Sequence, residues 1–194
     1  MRRGLTSLRA NNAGSVTVET ALVLMIMISL TGAAVEGGYT FFQWNGAQEA
    51  ARHGARMAAT SPPVSKNLSS ASGFPDTYSR ICSGKTTSCN QGQYDSAVMN
   101  GILFGPDQDG ICGKTTRERR GMCDVFSDVR LENVVIKYQE SGLDTDDAPA
   151  PLITVTVTGI KYDFMFLDIF AGQDLAKMPD VSVTVMSEDL KAGA

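Results

Sequence analysis

The chain has 194 residues, 43% of them hydrophobic and 20% charged, and a formal net charge of −4. This is enough for one globular domain plus an appendage. The acidic balance excludes an ordinary nucleic-acid-binding face, which needs clustered basic charge, and the single histidine excludes a histidine-based metal cluster.

The charge is unevenly placed. The first fourteen residues hold Arg2, Arg3 and Arg9 and no acid, so the acidic side chains all belong to the rest of the chain. The run Gly14-Ser15-Val16-Thr17-Val18-Glu19 follows, and residues 21–35 carry no charge. With 16–20 they make a segment of about 20 residues, enough to cross about 30 Å of hydrocarbon as a helix. Arginine before the segment and none within it predicts a cytoplasmic amino terminus. Glu19 stands out, because a charge near the bilayer centre costs about 2.5–3.5 kcal/mol on insertion scales. It therefore calls for a partner. Tyr39, Phe41, Phe42 and Trp44 follow the far end and fit an aromatic belt at the membrane–water boundary. The simpler reading makes them core aromatics of a long helix.

The helical pattern continues through 47–59, AQEAARHGARMAA, and the first proline after it is at Pro62-Pro63. A helix from about Thr17 to Ala59 would be about 65 Å long, half of it outside the bilayer. Its outer half carries two small-residue stripes: Gly46, Ala50, Gly54, Ala58, and beside them Ala47, Ala51, Ala55, Ala59. Such stripes permit close backbone approach between helices, onto the chain's own domain, or both, since a helix has more than one face. Gly32, Gly37 and Gly38 are expected to interrupt the helix and allow bending.

Residues 61–72 are rich in Pro and Ser and predict a loop. A cysteine-bearing stretch follows, with one short helix expected over 94–104, placing Tyr94, Val98 and Ile102 on one side. Period-two alternation then marks three strands, built on Val134/Ile136/Tyr138, Ile153/Val155/Val157 and Val181/Val183/Val185. An acidic hairpin loop over 142–151 joins the first two. A segment over 163–177, with Phe164, Phe166, Leu167, Ile169 and Phe170, joins the last two; it is expected to be partly helical and to pack on the core or the membrane surface. A three-stranded sheet needs its apolar face covered, and the outer half of the long helix is the obvious cover.

All four cysteines, Cys82, Cys89, Cys112 and Cys123, follow the apolar segment. An even count there predicts two disulfides and an oxidising compartment; the alternative is four reduced thiols. Of three possible pairings, Cys82–Cys89 and Cys112–Cys123 close the shortest loops at least entropic cost. With no Cys-x-x-Cys, zinc is disfavoured. No catalytic constellation emerges. His53, between Arg52 and Gly54, reads as a helix-surface or packing residue. Asp107-Gln108-Asp109-Gly110 with Glu118 misplaces the glycine of a calcium loop and reads as a turn. Arg117-Glu118-Arg119-Arg120 reads as a solvated charge run, and Asn67-Leu68-Ser69 is a glycosylation sequon only in a eukaryotic secretory setting.

The basic leader, Gly14, Glu19 five positions later and the immediate apolar helix resemble a class III (type IV-like) prepilin. The stretch Ala50-Ala51-Arg52-His53-Gly54-Ala55-Arg56-Met57-Ala58-Ala59 is similar to the corresponding region of TadE-like pseudopilins of the bacterial tight-adherence system. Glu36 after the apolar run is similar too, and the last strand, ending Met186-Ser187-Glu188, resembles that family's carboxy-terminal strand. The resemblance is good over 12–59 and loose beyond. Thr20 departs from it, since an aromatic commonly follows the glutamate there, and this bears on the efficiency of processing.

The resemblance implies a pilin-like α+β protein: a long amino-terminal transmembrane helix running into a small antiparallel β-sheet domain. Its parts would be a basic prepilin leader (1–14), a transmembrane helix (15–35), the helix's extracytoplasmic continuation (36–60) and an α+β domain with the four cysteines (61–194). A prepilin peptidase would cut between Gly14 and Ser15. Glu19 and Glu36 would serve assembly with sibling pseudopilins, a major pilin and an inner-membrane platform. The product would be a structural pilus component in the inner membrane or a surface pilus, without enzymatic activity or cofactor. Two other classes share parts of this sequence. One is a secreted binding domain whose signal peptide is cut near Gly32-Ala33-Ala34, against which Glu19 argues. The other is a membrane enzyme or sensor with an uncut anchor, against which the lack of a catalytic constellation argues.

Overall fold

The fold was taken from a computed structural model, which describes residues 13–66, 68, 78–108, 110–113, 119–142, 150–166 and 176–187. It is an α+β fold: a long amino-terminal helix, α1 (Ala13–Thr60), leads into a five-stranded antiparallel sheet. Between and beside the strands lie α2 (Ser96–Phe104), α3 (Met122–Val125) and a 3-10 turn (Leu131–Asn133).

At 1.5 Å per residue, α1 is about 72 Å long. The expected interruption at Gly32, Gly37 and Gly38 does not occur, for the helix is continuous through all three. A helical glycine costs about 1 kcal/mol relative to alanine, and the hydrogen-bonded turns on either side outweigh three such costs. The hydroxyls of Thr20, Ser29, Thr31 and Thr40 each donate to the carbonyl four residues back, at 2.8–2.9 Å. Polar side chains in the apolar segment thus find partners within the helix, as a hydrocarbon environment requires.

The three strands read from alternation are present as β3 (Val134–Gln139), β4 (Leu152–Val157) and β5 (Val181–Met186). Two more, β1 (Ser79–Ser83) and β2 (Ser88–Cys89), extend the expected three-stranded sheet to the order β2-β1-β3-β4-β5. Register places Val134 opposite Val157, Ile136 opposite Val155 and Tyr138 opposite Ile153. All six side chains are buried on one face, each contributing about 1.5–3 kcal/mol by leaving water. The other face is wetter, and there Thr154 and Thr184, paired across β4 and β5, share a 2.8 Å hydroxyl–hydroxyl bond.

The outer half of α1 covers the buried face and packs on β4, β5 and α3. Ala47, Ala50, Ala51, Ala55 and Ala58 are fully buried there. The short helix begins at Ser96, two residues later than Tyr94, because Asp95 caps it: Oδ1 accepts from the amides of Ala97 and Val98 at 3.0 and 3.3 Å. Tyr94 instead forms an isolated bridge with Ser65. Tyr138, wholly buried, accepts from the Val64 amide at 3.0 Å and so fastens the end of the helix loop to the sheet; burial pushes its phenol well above the usual range.

Disulfides join Cys82 to Cys89 and Cys112 to Cys123. The first ties β1 to the two-residue β2 directly across the register. The second links the segment after α2 to α3.

Candidate functional site: an exposed apolar helix and a carboxylate clasp

Two halves of one helix meet different surroundings. Val16, Val18, Leu22, Val23, Leu24, Met25, Ile26, Met27, Ile28 and Leu30 are all more than half exposed. An 18-residue window here has a mean hydropathy of 2.0, and none of it is buried within the chain. A core helix of the same composition would be covered. Exposure of so many large apolar side chains is the property of a surface that meets lipid or other helices. Gly14 stands in the first turn of α1, with open space around its Cα, and Glu19 is exposed among the apolar side chains.

Beyond Val35 the helix turns toward its own domain. Both small-residue stripes face inward. A Cβ added at Gly46 would lie 2.8 Å from Phe126 Cδ2, and one at Gly54 would lie 2.7 Å from Met122 Cγ. The close approach these residues permit within the chain is therefore to α3 and the segment behind it. His53 is a packing residue of the same contact, with Nε2 2.6 Å from the Arg120 carbonyl.

At the junction of the two halves sits a clasp. Glu36 is only 5% exposed, and its two carboxylate oxygens accept from the backbone amides of Met165 at 2.8 Å and Phe166 at 3.0 Å. Two turns later Gln43, also buried, donates Nε2–H to the Asp163 carbonyl at 2.6 Å and accepts from the Asp163 amide at 3.0 Å. Four hydrogen bonds from two helix side chains thus hold residues 163–166 along the helix. A carboxylate accepting two backbone amides is strongly satisfied, which is how an acid can be buried here with no basic partner among the described residues. This is where the structure places Glu36: its oxygens are engaged within the chain.

Residues 163–166 are not helical, and 167–175, with Leu167, Ile169 and Phe170, lie outside the described residues. A cleft of about 1150 Å³ runs between the segment and α1, lined from the helix by Met27, Ile28 and Val35 and from the segment by Tyr162, Phe164 and Phe166. Of the four aromatics after the apolar run, Phe41 and Phe42 project outward at 65% and 70% exposure, whereas Trp44 packs on the core's edge.

Other sequence candidates give little. Asp107 stands in a turn after α2, while Asp109 and Glu118 lie outside the described residues, as do Arg2, Arg3, Arg9, Arg117 and, in the Asn67-Leu68-Ser69 triplet, Asn67 and Ser69. Among the described residues no group of acidic, histidine or cysteine side chains could hold a metal.

The exposed half-helix, its lone carboxylate and the inward small-residue half lie together in one stretch of sequence. Residues 14–56 match the TadE-like protein family model. The TadE-like match covers α1 and ends before the sheet, so it bears on the helix, Gly14, Glu19, Glu36 and Gln43, and not on the domain that the clasp holds. No curated protein and no solved structure matches the chain significantly. Gln43 escaped the sequence reading. Its spacing of seven from Glu36 puts both polar groups on one face of the helix.

Proposed function

We propose that this protein is a minor pilin, or pseudopilin, of the tight-adherence pilus: a structural subunit and not an enzyme, acting in pilus assembly, surface adhesion and biofilm formation. One observation carries the reading. A single unbroken helix is bare, apolar and acid-bearing in one half and forms the core of a folded domain in the other. A subunit that rests in a membrane and is later drawn into a helix bundle needs this division. The TadE-like match over the same helix supports it.

In this reading a prepilin peptidase cuts between Gly14 and Ser15. Residues 15–35 span the inner membrane with the amino terminus cytoplasmic, 36–60 continue the helix, and 61–194 form the periplasmic domain, where the disulfides persist. The cut gives Ser15 an ammonium group inside an apolar environment. Glu19 of a neighbouring pilin subunit pairs with it, which offsets two desolvation penalties and fixes axial register. Sibling pseudopilins, the major pilin and the inner-membrane platform are the partners.

Amino-terminal sequencing of the protein from its own membrane tests the proposal. The expected first residue is Ser15, and Gly14→Val is expected to leave full-length precursor. A chain beginning at Met1 or at Val35 overturns it, the first in favour of an uncut anchor and the second in favour of a secreted domain.

A further inference from the structure

We propose that the segment over 162–166 is a second membrane contact, seated in the leaflet on the domain's side of the bilayer that α1 spans, with Glu36 and Gln43 as the latch that holds it there. The proposal rests on the reading of α1 as a membrane helix.

The clasp presses this segment against the helix at the point where the apolar exposure ends. Backbone polarity is the usual obstacle to placing irregular chain near hydrocarbon, because unpaired N–H and C=O groups are costly there. Here the amides of Asp163, Met165 and Phe166 and the carbonyl of Asp163 are paired with Gln43 and Glu36. With these main-chain groups paired, the segment can present side chains to lipid. Two of those side chains are apolar and uncovered, Met165 at 54% and Phe166 at 45% exposure, and the exposed Asp163 precedes them on the Lys161 side of the segment. In a domain whose sheet face is well covered, two such residues with both amides bonded to one buried carboxylate are not a loose end.

Depth points the same way. Phe164 and Phe166 line one cleft with Met27 and Ile28. Ile28 lies eight residues, about 12 Å, toward the amino terminus from Glu36. The segment therefore faces along the exposed apolar half of α1 and not outward from the domain. Its base is polar in the manner of a headgroup region. Lys161 and Lys177 oppose each other in an antiparallel bridge directly behind the apolar tip, and both are exposed. Basic residues next to a buried apolar wedge favour anionic lipid. The occupant of the cleft is then the acyl chain of a lipid of that leaflet.

The full chain in vesicles of phosphatidylethanolamine and phosphatidylglycerol, doped with a phosphatidylglycerol carrying a photoactivatable acyl chain, provides the test. Trypsin cuts after Lys161 and Lys177, so the segment is recovered in one peptide for mass mapping of lipid adducts. Adducts are expected both in the peptide containing residues 16–35 and in the 162–177 peptide. Glu36→Ala is expected to lose most of the second set and keep the first. If Glu36→Ala loses its cooperative melt, Gln43→Ala serves with the same expectation. Adducts confined to the helix peptide, or a 162–177 peptide cross-linked to a second protein chain in place of lipid, overturn the proposal and leave the membrane helix standing. Absence of adducts from both peptides overturns the membrane helix as well. Undiminished 162–177 adducts in the clasp variants overturn the latch.

Discussion

The two halves of α1 invert the usual relation between side-chain size and burial. Its first half displays Leu, Ile, Met and Val to the outside, and its second half buries Ala and Gly. In water alone the first half would be untenable and the second would seem a weak core. Together they are consistent with one helix that serves two solvents. In the apolar half, large side chains provide the area that meets the surroundings. In the domain half, small side chains bring the helix backbone close to the sheet and α3, so that the bulkier side chains of β4 and α3, among them Ile153, Val155 and Met122, fill the space. Glycine carries the contrast most plainly: Gly32, Gly37 and Gly38 have open space where a Cβ would go, and Gly46 and Gly54 do not.

The contrast is easiest to break at Gly54. Gly54→Leu forces a branched side chain into the place of Met122, which is fully buried and cannot swing into solvent. Overpacking of this kind costs about 3 kcal/mol, and denaturant unfolding of the full chain in detergent should show the loss as a lower midpoint. Gly37→Ala, seventeen residues earlier, meets nothing and should stabilise the helix by up to about 1 kcal/mol from propensity alone. Equal effects at the two sites would mean that the outer half is not packed as described.

The second test sharpens the division by compartment. The domain holds two disulfides closing loops of 7 and 11 residues in sequence separation. Replacing Cys82 and Cys89 with serine should cost about 2–3 kcal/mol and loosen the edge of the sheet, where β2 is only two residues long. Non-reducing peptide mapping should find both linkages in the native protein. Four alkylatable thiols would sink the bonds and, with them, the oxidising compartment.

What the sequence made legible follows the same physics. The helix and the strands β3, β4 and β5 were readable because their side chains repeat with the period of the element, as in Val134, Ile136 and Tyr138. β1 was not readable. Its sequence is Ser-Arg-Ile-Cys-Ser, only Cys82 is fully buried in it, and Ile81 points outward at 40% exposure, so no alternation announces it. β2 consists of Ser88 and Cys89, and pairing with β1 gives it its identity as a strand. The glycines of α1 misled in the other direction, since local propensity predicts a weak point that the rest of the helix overrides. At the clasp, Glu36 was visible only through resemblance and Gln43 not at all. Their partners are main-chain groups at Asp163, Met165 and Phe166, some 120 to 130 residues away, and a backbone amide has no side-chain signature. Gly14 and Glu19 stand out in the sequence because each is a local exception, a glycine and a charge at the edge of an apolar run.

Glu19 has the smallest expected effect on the isolated subunit and for that reason tests what the apolar half is for. It is exposed on a face with no cover from its own domain. Glu19→Gln keeps its shape and removes its charge, so the melting behaviour of the single chain should be unchanged within error, unlike that of Gly54→Leu. Membrane insertion should become easier, because the penalty for a buried charge is gone. Cleavage after Gly14 should persist. Only association between chains should suffer, since the Ser15 ammonium of a neighbour would then be left in an apolar bundle without its counter-charge, the situation in which one partner of a buried pair is most missed. The measurement is cross-linking to a sibling pilin together with pilus yield, in cells that carry correctly cut Glu19→Gln protein. Wild-type cross-linking and piliation would show that the charge pair does not drive assembly. A fall in both, with the subunit's own stability intact, would assign the exposed half of α1 to contacts between chains and the buried half to contacts within one.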